Sequence, residues 1–188
     1  MKKKIVLCIV LVGLIFSLAG CAEEAGQPEA GVQQENSAVS EEEFAGDGAW
    51  TILVYLCGTD LESGYGAATM DLGEMLDRDF GSQVRFVVQT GGCTQWQNEV
   101  IPEDAIARYE IINGDMQEIS RMEQANMAES ATLKDFVTFG MENYGNNKLG
   151  LIMWDHGGGS VAGVCLDENY GTDTLDLAEI QQALDGIP

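Results

Sequence analysis

Apolar residues in this chain fall into two kinds of run, and the difference between them sorts strands from helices. Trp50–Leu56 and Leu149–Met153 are largely continuous and rich in Ile, Leu or Val. Neither alternates like a half-exposed strand, so each reads as a strand buried on both faces, as in a parallel sheet covered by helices. Val84–Gln89 is a third run of this kind. Elsewhere the period lengthens. Ala68, Leu72, Met75, Leu76 and Phe80 recur at helical spacing with Asp71, Glu74 and Asp77 opposite, which predicts a helix from Gly66 to Phe80 closed by Gly81. Leu133, Phe136, Val137, Gly140, Met141 and Tyr144 form the stripe of a second helix, entered through Ser130 as cap and left at Gly145-Asn146-Asn147. Leu177, Ile180 and Leu184 are the inward positions of a third, over Leu175–Leu184, ended by Gly186. Ala105–Ile112 alternates, and Asn113-Gly114 is a strong turn signal. Together they predict a hairpin over Ala105–Ile119 on the sheet's rim, while polar Asp115–Glu129 otherwise reads as loop.

The resulting order, β α β, hairpin, α, β, loop, α, predicts an α/β three-layer sandwich with a mostly parallel sheet. In this architecture a helix after a strand delivers another parallel strand. Ile187-Pro188 lies where that strand would be entered, so the sandwich is expected to be incomplete at its C-terminus.

The region before Trp50 follows different rules. Lys2, Lys3 and Lys4 precede the apolar run Ile5–Leu18, which is short for a membrane span, and Leu18-Ala19-Gly20-Cys21 follows. Residues 1–20 therefore read as a secretory signal. The Leu-Ala-Gly-Cys sequence resembles the lipobox of bacterial lipoproteins, which implies that Cys21 becomes the lipid-bearing first residue of the mature chain. Ala22–Gly48 holds eight acidic residues, no basic ones and few large apolar side chains, the composition of a disordered acidic linker spanning 21–48. The folded domain is then 49–188, held outside the cytoplasm by a lipid anchor to a bacterial membrane or cell surface.

Charge narrows the partners. Three of the nine basic residues lie in 1–20 and none of the 31 acidic ones, so residues 21–188 carry a net charge of −25. Nucleic-acid binding, which needs a basic surface, is excluded. A field this negative attracts cations or basic peptides, although a solvated acidic surface without a specific partner has the same composition. Of the five cysteines, Cys8 lies in the signal and Cys21 is the expected lipid site. Cys57, Cys93 and Cys165 remain, an odd number whose spacing matches no zinc pattern.

The chemistry concentrates at Leu149–Ser160, where the strand ends in Trp154-Asp155-His156 and three glycines follow. Functional groups in open α/β sheets sit at the carboxyl ends of strands, and this is where the only histidine lies. Imidazole titrates near neutrality and can take a proton from a thiol or hydroxyl. Glycines bring bare backbone N–H groups close to whatever it faces. By itself a His-Gly pair is equally a polar strand terminus followed by a turn.

Several separate stretches bear on that choice. Trp50–Ser63, Gln89-Thr-Gly-Gly92 with Trp96, Leu133-Lys-Asp-Phe136, Leu151-Ile-Met-Trp-Asp-His-Gly-Gly-Gly159 and Asp167-Glu168 resemble, in order, the clostripain family of cysteine peptidases. The resemblance implies a caspase-like fold, cleavage after basic residues of a protein or peptide substrate, and a Cys–His dyad whose histidine is His156. It also implies that Gly157 gives a backbone N–H to the oxyanion. In that family the nucleophile lies in an Asp-x-Cys setting on the strand after the last helix, beyond Pro188. Residues 1–188 are therefore expected to be inactive alone, a truncated or split product, and 149–188 contains no Lys or Arg for self-cleavage. Cys165, nine positions after His156, and Cys57 are the substitute thiols to weigh, each otherwise an ordinary packed cysteine.

Two rival readings stand beside it. His156-Gly157-Gly158-Gly159 also looks like a lipase oxyanion motif, but Gly158-Gly-Ser160-Val-Ala162 lacks the last glycine of Gly-x-Ser-x-Gly. The non-enzyme reading is a catalytically inactive surface lipoprotein that binds peptides or a partner protein. Calcium is a candidate cofactor, from the family and from Asp167, Glu168 and Asp173 near His156.

Overall fold

The structure, a computed structural model, describes Val6–Leu7, residues 48–145 and residues 148–187. The rest of the predicted signal, Cys21 and the linker up to Asp47 lie outside the described residues. The fold is built on one six-stranded sheet with helices on its two faces.

The sheet contains β1 (Val6–Leu7), β2 (Trp50–Cys57), β3 (Val84–Gly91), β4 (Ala105–Ile112), β5 (Asp115–Glu123) and β6 (Lys148–Trp154), in the spatial order β1-β6-β2-β3-β4-β5. β1, β6, β2 and β3 pair in parallel, and β4 and β5 continue the sheet antiparallel. The sheet is thus mixed, not mostly parallel as the element order predicted. The reason is local: Asn113-Gly114 reverses the chain, with both residues at positive φ, and a hairpin can only be antiparallel. β5 extends to Glu123, into the segment read as loop, with a register shift between Arg108 and Tyr109. Its polar, exposed sequence hides a strand because it forms the sheet's outer edge, where charge prevents further pairing.

The continuous apolar runs are explained by two cores. Leu53, Tyr55 and Cys57 of β2 face Leu133, Phe136 and Val137 of α3 (Ser130–Tyr144) and Ala183 of α5 (Leu177–Leu184). Val54 and Leu56 face the other way, onto Ala68 and Leu72 of α2 (Ala67–Leu76) and onto Trp96 and Ile101. Both parities of β2 are buried, so no alternation survives in its sequence. Two buried arginines cross these layers. Arg85 pairs with Glu110 at 2.8 Å, and Arg108 bonds Gln89 and Asp135 with its guanidinium over the Phe139 ring.

Three helical expectations are corrected. The segment after β2, where no helical stripe predicts one, is a helix, α1 (Thr59–Tyr65). The helix predicted to begin at Gly66 begins at Ala67 and stops at Leu76, short of Phe80. Gly66 itself has φ +65, the left-handed conformation that ends one helix, and it passes the chain directly into the next. Third, α5 starts at Leu177, not Leu175, because Asp176 and Glu179 form a reciprocal capping box. That places Leu177 on the exposed side, 53 % accessible, while Ala183 takes the buried position.

Candidate active site

In register, Leu56 pairs with Trp154 and Cys57 with Gly91, so β2, β3 and β6 end at one level. Their continuations form a common rim: Gly58-Thr59-Asp60 after β2, Gly92-Cys93-Thr94 after β3, and Asp155-His156-Gly157 after β6. The carboxyl ends of parallel strands are where this architecture presents chemistry.

A short hairpin unseen in the sequence binds the rim together. After a single helical turn, α4 (Gly159–Ala162), the chain forms β7 (Val164–Asp167) and β8 (Asp173–Leu175). Leu166 donates its N–H to Asp155, the Cys57 thiol donates to the Leu166 carbonyl at 3.3 Å, and Glu168 donates its N–H to the Gly92 carbonyl at 3.0 Å. β7 and the residue that follows it therefore touch all three strand ends. Gly92, at φ +80, could carry no side chain, since a Cβ would stand 2.3 Å from the Cys57 sulfur. Two strands of three and four residues lie below the length at which alternation can be recognised, which is why this segment read as loop.

His156 is exposed on this rim, and its Nε2 lies 2.9 Å from Oδ1 of Asp60. Asp60 stands in the first turn of α1. Its one sequence signal is an acid just past a buried strand. Asp155, beside His156, turns back: its two oxygens accept the N–H groups of His156 and Leu166. Burial pushes the Asp155 carboxyl up to about 7, against the opposing pull of those two N–H groups and of His156. An acid whose folded value exceeds its unfolded one is costly to ionise in the native state. Stability should therefore fall as pH rises from about 4 to about 7 and level off above that. The Asp155 carboxyl ¹³C resonance is expected to titrate near neutrality, and a midpoint below pH 5 would contradict this.

Gly157 makes a single antiparallel bridge to Val164, and the Gly158 N–H is taken by the Gly163 carbonyl at 2.8 Å. Ser160 lies in the one-turn α4 right after the glycines, not on a turn from strand to helix, which gives the lipase reading no nucleophile.

The thiols at and beneath this rim are closed off from solvent. Cys57, Cys93 and Cys165 are free and buried. Burial drives the Cys57 thiol well above its ordinary value, helped by the adjoining Cys165 thiol, and pushes Cys93 up to about 12. Thiolate is the attacking species, so Cys57 and Cys93 are poor nucleophiles here, while Cys165 has no accessible surface from which to attack. The rim holds an imidazole without an accessible thiol among the described residues.

The acids weighed for calcium each accept hydrogen bonds from the protein itself. Asp167 accepts from the N–H groups of Met127 and Asn169, Glu168 from Ser63 and Thr94, and Asp173 from Asn126. Among the described residues no group of three or more His, Cys, Asp or Glu side chains is arranged to hold a metal ion.

Comparison with known proteins agrees with this layout. In fold the chain is similar to a secreted C11 cysteine protease from Bacteroides thetaiotaomicron, solved in complex with an irreversible peptide inhibitor. The TM-score is 0.54 at 19% identity, over 73% of this chain and 39% of that one. It is also similar to iotapain, a secreted C11 cysteine protease of the same bacterium, with TM-score 0.52 at 11% identity over 72% of this chain and 41% of that one. At such identities the likeness is one of α/β fold, and the chain spans about two fifths of the length of either protein. No curated protein sequence matches it significantly. The family itself is shown by sequence: over residues 54–188, which include the whole rim, the chain belongs to the clostripain family, peptidase family C11.

Proposed function

We propose that this protein is the His-bearing part of a clostripain-type cysteine endopeptidase that cleaves after basic residues. The observation that carries the reading is His156 exposed at the end of a buried parallel strand, inside the stretch that matches the family. In this reading His156 is the general base and later the general acid. It takes the proton of a cysteine thiol, the thiolate attacks the peptide carbonyl, and the imidazolium returns the proton to the leaving amine. Gly157 offers its backbone N–H to the oxyanion. Since Cys57, Cys93 and Cys165 are buried, the nucleophile is a thiol that the described residues do not include.

The net charge of −25 over residues 21–188 supports basic substrates, because a negative field raises their local concentration. The signal-like start and Cys21 support a lipid-anchored, extracytoplasmic protein, as does the secreted nature of the two similar proteases. No helix among the described residues is long and apolar enough to cross a membrane.

The test is a set of peptides differing only at the residue before the cleaved bond, offered to the full-length protein. Arg or Lys is expected to exceed Leu or Glu by at least tenfold in kcat/KM, with activity abolished by iodoacetamide. Cleavage indifferent to that residue, or to thiol alkylation, would overturn the assignment. A second reading, a peptide-binding protein on a peptidase scaffold, is favoured by the lack of an accessible thiol at this rim. Binding of basic peptides with no hydrolysis by the full-length protein would select it.

A further inference from the structure

The first turn of α1, which carries Asp60, is built more rigidly than a surface acid requires. Gly58 donates its N–H to the Gly91 carbonyl at 2.8 Å, locking the chain to the end of β3. Glu62, fully buried, accepts from the N–H and hydroxyl of Thr69 and from the Gln97 N–H. Between them Thr59 is also fully buried and sits at φ +46. A β-branched residue in the left-handed region is strained, and such strain persists only where its surroundings enforce it. The effect is to raise Asp60 from a buried base into solvent, where Oδ1 receives the Thr59 hydroxyl at 3.2 Å and faces Nε2 of His156 at 2.9 Å.

We propose that Asp60 is the positioning residue of His156. An ionised carboxylate can only accept, so the contact requires Nε2 to carry a proton. The neutral ring is thereby held as the Nε2–H form, and Nδ1 is left as its one basic atom. Resting on the reading of His156 as the general base, this means that proton transfer from the nucleophilic cysteine thiol to the imidazole runs through Nδ1. The thiol S–H bond breaks and an Nδ1–H bond forms, and the positive charge on the ring is met by Asp60. The family resemblance points to the histidine but names no acid beside it; the strand ends supply that partner. Asp155, although adjacent in sequence, is turned to the backbone and does not compete for the ring.

His156 is the only histidine in the chain, so imidazole ¹⁵N resonances report on it without assignment. Above neutral pH, Asp60→Asn is expected to lower the ratio of Nε2–H to Nδ1–H imidazole by about two- to fivefold, the size of an exposed charged hydrogen bond. The pair is about half exposed, 52 % and 60 % for the two side chains, which sets this modest scale. Asp60→Glu should restore part of the ratio. Raising salt from about 0.05 to about 0.5 M should shift the unmutated protein in the same direction as Asp60→Asn, with no question of folding. A ratio unchanged by both the substitution and salt would overturn the proposal. The readout needs no nucleophile and no hydrolysis, so a protein that proves not to be a peptidase could still show the coupling, and an active peptidase could still lack it.

Discussion

His156→Ala is expected to lower peptide hydrolysis by the full-length protein by about 10²–10⁴-fold, the usual contribution of a positioned acid–base group. The loss should fall on kcat, because the imidazole acts on protons in flight and not on substrate affinity. No other side chain on the rim can substitute. Asp60 is an acceptor committed to the ring, Asp155 faces the backbone N–H groups of His156 and Leu166, and the chain has no second histidine. His156 is exposed and its ring hydrogen-bonds, among the described residues, to the exposed Asp60, so its removal should leave the fold intact. Measurement of kcat/KM on an Arg-containing peptide, with circular dichroism as the check on folding, decides the matter. A variant within tenfold of the parent would remove His156 from the mechanism.

The largest effect on stability is expected from Glu62→Ala, about 2–4 kcal/mol in urea denaturation, because three hydrogen bonds to one buried side chain are lost together, at about 1 kcal/mol each. Three donors lose their acceptor at once: the Thr69 N–H, the Thr69 hydroxyl and the Gln97 N–H. Thr69 is half-buried and Gln97 exposed, so water replaces the lost acceptor only in part and the cost stays below that of fully buried donors. Glu62 joins α1, the start of α2 and the segment after β3, so the damage would spread to the platform under Asp60. Glu62→Gln keeps one acceptor oxygen and should be milder. A loss below about 1 kcal/mol for the alanine variant would show that water enters and satisfies these groups.

Much of the architecture was legible from periodicity. Three strands buried on both faces leave continuous apolar runs, and α3 leaves a clean stripe from Leu133 to Tyr144, so those elements and their order emerged directly. What was lost follows from length and exposure. β7 and β8 are too short to alternate, β5 is too polar to resemble a strand, and Thr59–Tyr65 begins with residues common in loops. The mixed character of the sheet was partly within reach, because a hairpin on the rim was predicted but its antiparallel contribution was not weighed against the parallel strands.

The site divides along the same line. A single histidine after a buried strand, followed by glycines, is a local pattern, and local patterns survive in one dimension. The partner of that histidine is 96 positions away, and nothing in the sequence around Asp60 marks it as facing an imidazole. Only the parallel register, which brings the ends of β2 and β6 to one level, makes them neighbours. Likewise three cysteines could be counted, but their burial beneath the rim is decided by how β7 crosses the strand ends. Sequence determined which residues have chemistry to offer, because side-chain type and short-range spacing are properties of the chain itself. Tertiary structure decided which of them meet and which are withdrawn from solvent, because distance and desolvation exist only once the sheet has formed.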